Sequence, residues 1–267
     1  MWNLHLDNKL ESPSPFMGEG RDGGCDRFTP HLCPPPQGGR KVLFSVLALT
    51  LFFSIRLFAG TISGKSAFEG TPGANPRIDM SADPVCKSLN PADVFAQRIV
   101  VNSNGTLQNV FVYIKEGLSE TSFPVPAVPA VLDQRSCNYH PHVLGMQANQ
   151  KLQIINSDAT LHNIHAFAKN SPEFNLGMPI QGMKLEKTFS NPEIMVKMKC
   201  DVHPWMNAYA GVLAHPYFSV SGDDGTFNIK DLPAGEYTVE AWHEKYGTQT
   251  QKVTVGEEPV NVEFTFA

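Results

Sequence analysis

Cys200-Asp201-Val202-His203-Pro204-Trp205-Met206 places a thiol, an imidazole and a thioether within one short stretch of chain. Together these three donor types suit copper, because soft sulfur stabilises Cu(I) while imidazole serves both oxidation states. The run from Ile194 to Lys199 in front of the loop reads as a strand, so a rigid ladder holds the Cys200 thiolate while the turn at Pro204 brings His203 and Met206 back toward it. A trigonal site of one Cys and two His with a weak axial Met needs a second imidazole. His162, within Thr160-Leu161-His162-Asn163-Ile164-His165, supplies it from a strand some forty residues upstream.

Each ligand has an ordinary reading when taken alone. Cys200 is then a buried thiol, His203 a loop histidine and Met206 core packing. Their joint spacing, together with the His-Asn pair, selects the ligand reading. His165 lies three residues after His162, which on a strand turns it to the opposite face and sets it aside as a ligand.

The loop Cys200-x-x-His203-Pro204-x-Met206, with His162-Asn163-Ile164-His165, closely resembles the amicyanins, short-loop relatives of plastocyanin in the cupredoxin family. The resemblance covers roughly residues 95–214. It implies a Greek-key β-sandwich and one Cu(I)/Cu(II) ion bound by His162, Cys200, His203 and Met206. It also makes Asn163 the place of a backbone donor to the Cys200 sulfur. The long segment around Cys86 and Cys137 and an extra C-terminal module depart from that family, so its redox partner does not transfer.

The rest of the 267-residue chain fits an all-β reading. It is 42% hydrophobic and 18% charged, with 21 Gly and 21 Pro, a composition that favours strands and turns over long helices. The formal charge of -5 gives no basic footprint for a nucleic acid. Residues 1–39 are Pro/Gly-rich without an apolar period, a disordered stretch or a start assigned too far upstream. Residues 40–60 follow the order of a secretory signal: Arg40-Lys41, an uncharged run from Val42 to Phe53, then the small pair Ala59-Gly60. The apolar run is short against the roughly 20 residues of a spanning helix, so cleavage and export are expected, with a retained N-terminal anchor as the alternative. Removing this leader leaves a net charge of about -6.

Residues 61–94 then form an N-terminal segment, 95–214 the copper domain and 215–267 a smaller module. Of the cysteines past the leader, Cys86, Cys137 and Cys200, an odd number in an oxidising compartment is most simply explained by a Cys86–Cys137 bridge that leaves Cys200 free. Three buried thiols are the alternative. Strands are expected near 97–103 and 108–115, paired as a hairpin through Asn104-Gly105. Further strands are expected at 142–146, 151–156, 161–168, 185–190, 194–200 and 208–213, with 170–184 an irregular loop or a single helical turn.

From Phe218 to Ala241 the chain resembles a carboxypeptidase regulatory-like, transthyretin-like sandwich following the copper domain. That fold needs about seven strands and the segment supplies four or five. The early run Ile62 to Gly70 offers a completing strand, which would turn the copper domain into an insertion. His243 and Glu244 lack a partner for a catalytic pair. His140 and His142, set on one strand face, are ordinary polar positions rather than a second metal site, and Met178, Met183, Met195 and Met198 fill core gaps.

Trp205 either shields the copper, packs, or joins Pro204 in an apolar patch beside a solvent-edge His203. These readings converge on a non-enzymatic, periplasmic one-electron carrier that docks weakly on a dehydrogenase or c-type cytochrome. A copper-handling protein without electron transfer is the alternative. A metalloenzyme with an open copper position is third, because four protein donors fill the shell.

Overall fold

The computed structural model describes residues 59–267, and the expected leader therefore lies almost wholly outside the described residues. The chain runs through β1 (Ala59–Phe68), β2 (Arg77–Ile78), α1 (Pro84–Leu89), β3 (Val94–Phe95), β4 (Phe111–Glu116), β5 (Ala130–Arg135) and β6 (Asn138–His140). It continues with β7 (Val143–Gln147), β8 (Lys151–Asn156), β9 (His162–Phe167), β10 (Phe174–Met178), β11 (Lys184–Thr188) and β12 (Glu193–Lys199). The last six strands are β13 (Asn207–Leu213), β14 (Phe218–Val220), β15 (Thr226–Pro233), β16 (Gly235–His243), β17 (Gly247–Val255) and β18 (Val260–Phe266). The protein is all-β, with α1 its single α-helix among the described residues.

Two sandwiches result, each with its own apolar core. In the first, the sheet β10-β9-β12-β13-β7 faces the sheet β11-β8-β5-β6. Alternation drives this pairing: Leu152 and Ile154 of β8, Ile164 and Ala166 of β9, and Val196 and Met198 of β12 all point inward and are buried. Met178 and Met198 are fully buried in this core and Met183 packs against it, which agrees with their gap-filling role.

The second sandwich combines β15-β1-β18 with β14-β4-β16-β17. Its core gathers Ile62 from β1, Val112 and Ile114 from β4, and Ile229, Val239 and Phe264 from the C-terminal strands. The seven strands come from both ends of the chain, which corrects the boundaries 95–214 and 215–267. The first sandwich is inserted between parts of the second, as the alternative reading of Ile62 to Gly70 had it. Strand β1 pairs antiparallel with β15 and parallel with β18.

Two local expectations change. Asn104-Gly105 does turn the chain, with Gly105 N–H donating to Asn102 at 3.0 Å, but the flanks share only the bridge Val101↔Leu107. The 97–103/108–115 hairpin does not extend, because β4 is buried on both faces from Phe111 to Ile114 and is claimed by β14 and β16 on either side. The 170–184 stretch is also more regular than expected, since β10 pairs with β9 from Phe174↔Ala166 to Met178↔His162.

The outward face of β4 joins the two sandwiches. Phe111 and Tyr113 pack with Val143 and Leu213 of the first sandwich, and Phe218 lies against Phe111 with centroids 5.7 Å apart. The paired Gly145 and Gly211 make this approach possible, since a Cβ on Gly211 would stand 2.3 Å from the Phe111 ring.

Candidate metal centre

Strand β12 delivers Cys200 at its end, and the loop beyond it folds back through two backbone bonds. Met206 N–H donates to the His203 carbonyl at 2.9 Å, and Cys200 N–H donates to the Met206 carbonyl at 3.1 Å. Strand β9, antiparallel to β12, carries His162. One donor atom each of His162, Cys200 and His203 lies within 4.8 Å of the others, and all three residues are buried. Met206 is fully buried on the same loop.

Asn163 ties the two ligand-bearing segments together. Its backbone N–H points at Cys200 Sγ at 3.5 Å, where the resemblance placed a donor. Its side-chain Oδ1 accepts from Asp201 N–H at 2.6 Å, which clamps the start of the loop to β9. His203 N–H adds a second donor to the sulfur at 3.3 Å. Burial works to raise the Cys200 thiol pKa, but His162 and these N–H donors outweigh it and hold the thiol below its ordinary value.

The two imidazoles are each held from behind by a carboxylate. Nε2 of His162 lies 2.9 Å from Asp158 Oδ2, and Nε2 of His203 lies 3.0 Å from Asp83 Oδ2. Asp158 also accepts from Ser136 and Cys137 N–H at 2.8 Å each. Those two residues form a tight turn between β5 and β6 with φ of 51° and 55°, left-handed backbone that is unusual outside glycine. Asp83 caps α1, accepting from Val85 and Cys86 N–H, and accepts again from the Thr160 hydroxyl at 2.8 Å. Burial works to raise the Asp83 pKa, yet these donors hold it at about 2.

Ionised carboxylates fix the tautomers, because an acceptor requires a proton on each Nε2. Both Nδ1 lone pairs therefore turn inward, and they face each other at 2.9 Å. Two facing lone pairs repel unless a cation lies between them. Consistently, His162 is pushed up to about 9: burial opposes this, but Asp158 and Cys200 overcome it. His203 moves down: burial and the neighbouring His162 lower it against the opposing pull of Asp83. Two neutral imidazole nitrogens, a thiolate and a nearby thioether are a donor set that fits copper.

The rear of the site is closed by the N-terminal segment. Cys86 of α1 is disulfide-bonded to Cys137 across a sequence separation of 51, leaving Cys200 as the free cysteine among the described residues. Under this cover His203 is only 2% exposed. That corrects the expected solvent-edge imidazole. Trp205 packs: its ring lies 5.0 Å from that of His203 and its indole N–H donates to the Cys137 carbonyl at 3.0 Å.

No protein-family model matches the chain, and no curated protein matches it. The similar solved structures include copper proteins. A copper-containing nitrite reductase from Thermus scotoductus SA-01 is 16% identical over 38% of this chain and 26% of its own, with a TM-score of 0.31. A purple cupredoxin from Nitrosopumilus maritimus is 22% identical over 31% of this chain and 98% of its own, with a TM-score of 0.27. A Cu(I) amicyanin variant is 24% identical over 38% of this chain and 97% of its own, with a TM-score of 0.29. The chain thus spans about a quarter of the length of the nitrite reductase chain that it matches.

The remaining histidines sit apart from the cluster. His165 faces away, held between Glu173 at 2.7 Å and Asp201 at 2.9 Å. His140 ends β6, and Pro141 separates it from His142, so the two imidazoles do not share a strand face as expected. His142 instead bonds the Asn207 carbonyl at 3.1 Å and Glu244 at 3.0 Å. Asp83 and Asp158 are the residues the sequence reading missed. Asp83-Pro84 carries the signature of an N-cap followed by proline at the first helical position, which could have revealed α1. Nothing local marks Asp158 as the partner of His162.

Proposed function

We propose that His162, Cys200 and His203, with Met206 from the same loop, hold one copper ion, and that the protein is an exported type 1 copper carrier of single electrons. What carries this reading is the inward convergence of two Nδ1 atoms and one thiol under carboxylates that tie up both Nε2 atoms. The bound metal supplies a Cu(I)/Cu(II) couple. The chain keeps the donors fixed: β12 and β9 hold Cys200 and His162, Asn163 clamps the loop, and Asp83 and Asp158 stop the imidazoles from rotating. Donors that barely move favour fast electron exchange, and the hydrogen bonds to the Cys200 sulfur tune the potential. The partner is a redox protein such as a dehydrogenase or a c-type cytochrome, met by weak transient docking.

The burial of His203 favours a second reading, in which the protein holds copper without an electron-transfer role. Reconstitution with Cu(II) tests the shared core of both. An intense visible thiolate-to-copper band is expected, lost in Cys200→Ser, while Met206→Leu keeps copper and raises the potential. A band that survives Cys200→Ser overturns the assignment. Voltammetry separates the two readings: reversible, fast exchange supports the carrier, and slow exchange with irreversible loss of Cu(I) supports holding.

A further inference from the structure

Trp205 has a second side. Away from His203 it borders a cleft of ≈ 520 Å³ walled by both sandwiches and the chain around 76–79 and 96–98. That volume falls in the range of small-molecule sites. Its apolar wall includes the rings of Trp205 and Tyr209. Trp205 is pinned by its bond to the Cys137 carbonyl, and Tyr209 packs on Trp242 with centroids 5.2 Å apart.

The charges around this wall are unbalanced. Arg77, Arg98, Lys197 and Lys245 line the cleft; Arg77 pairs with Asp93 at 2.8 Å, and none of the other three forms an ion pair among the described residues. The two carboxylates that line it are already engaged. Glu244 is hydrogen-bonded to His142 Nε2 at 3.0 Å, both side chains being about nine-tenths buried, and Asp79 accepts from Ser81 N–H at 2.9 Å. A protein with net charge -5 thus gathers three unpaired cations around a rigid aromatic wall.

We propose that this cleft binds a small aromatic anion, its ring stacked on Trp205 and its carboxylate or sulfonate met by Arg98, Lys197 and Lys245. The ring supplies apolar and stacking contact, and the cations supply charge-assisted bonds. Binding needs no metal, so its failure and that of the copper reading are separable.

The test is calorimetric titration of the metal-free protein with benzenesulfonate, alongside benzyl alcohol, which lacks the charge, and methanesulfonate, which lacks the ring. Saturable 1:1 binding is expected for benzenesulfonate, with both controls at least about tenfold weaker. The exposed pair Lys197→Gln and Lys245→Gln, combined in one variant, is expected to weaken it about tenfold while leaving the circular dichroism unchanged. Cross-peaks of the Trp205 indole should move in the NMR spectrum during the titration. No saturation by about 10 mM, equal binding to the double variant, or methanesulfonate binding as tightly as benzenesulfonate would each overturn the proposal.

Discussion

The sulfur of Cys86 lies 3.6 Å from Nε2 of His203, so the disulfide that staples α1 to the β5–β6 turn touches the back of a candidate ligand. Peptide mapping without reductant should recover the Cys86 and Cys137 peptides joined and the Cys200 peptide free. Replacing both bridge cysteines by serine should cost about 4 kcal/mol in urea unfolding, on the chain-entropy estimate for a loop of this length. It should also shift the visible band of the copper form by loosening His203. A disulfide that includes Cys200 contradicts this arrangement.

Asp158→Asn makes a sharper test of tautomer control. The amide keeps Oδ1 for the Ser136 N–H but puts its NH2 in place of Oδ2, the oxygen that accepts from Cys137 N–H and faces His162 Nε2, so that Nε2 becomes an acceptor and the ring proton moves to Nδ1. Copper affinity should fall about 10–100-fold in chelator competition, with a stability cost of about 1–3 kcal/mol for the Cys137 N–H that loses its acceptor. Asp83→Asn should act likewise on His203. Unchanged affinity in both variants shows that the carboxylates do not set the ligands.

The second sandwich carries its own pH sensitivity in His243. The residue is 1% exposed, stacked on Tyr246, and its Nδ1 accepts from the N–H groups of Lys245 and Tyr246. Burial pushes its pKa down to about 4, helped by His142 and opposed by Glu244. It stays neutral in the fold while the unfolded chain takes a proton near 6.5, so stability is lost as pH falls from about 6.5 to 4. The loss is on the order of 3 kcal/mol. Urea unfolding at pH 7 and pH 4 should show His243→Asn losing less than the parent; equal losses remove His243 as the cause.

Gly211→Ala tests the seam between the sandwiches. The added Cβ would stand 2.3 Å from the fully buried Phe111 ring, so the ring or β4 must shift. A cost of about 1–3 kcal/mol is expected from calorimetric melting. An unchanged melting temperature means that the seam is looser than its packing indicates.

Local chemistry explains what the sequence reveals of this site. Cys200, His203 and Met206 fall within one loop, and alternating apolar residues mark β8, β9 and β12, so donors and core strands are legible from spacing. The carboxylates behind the imidazoles are different. Asp83 meets His203 across 120 residues of chain, and Asp158 points at His162 only because Ser136 and Cys137, from another strand pair, hold it there. The cover over His203 is hidden for the same reason. Strand β4 misleads in the opposite way: Asn104-Gly105 is a strong local hairpin signal, but burial on both faces gives β4 to non-local partners.

The parallel pairing of β1 with β18 has a further consequence. Phe68 of the first described strand lies in register with Phe266, so the outer sandwich cannot close until β18 is available. Every strand of the inner sandwich lies between Ala130 and Leu213 and is available earlier. The inner sandwich can therefore close first, while β1 has only its bridge to Thr106 until β15 and β18 arrive. Until then the rest of β1 is an open edge, and a waiting strand edge pairs with whatever strand it meets first.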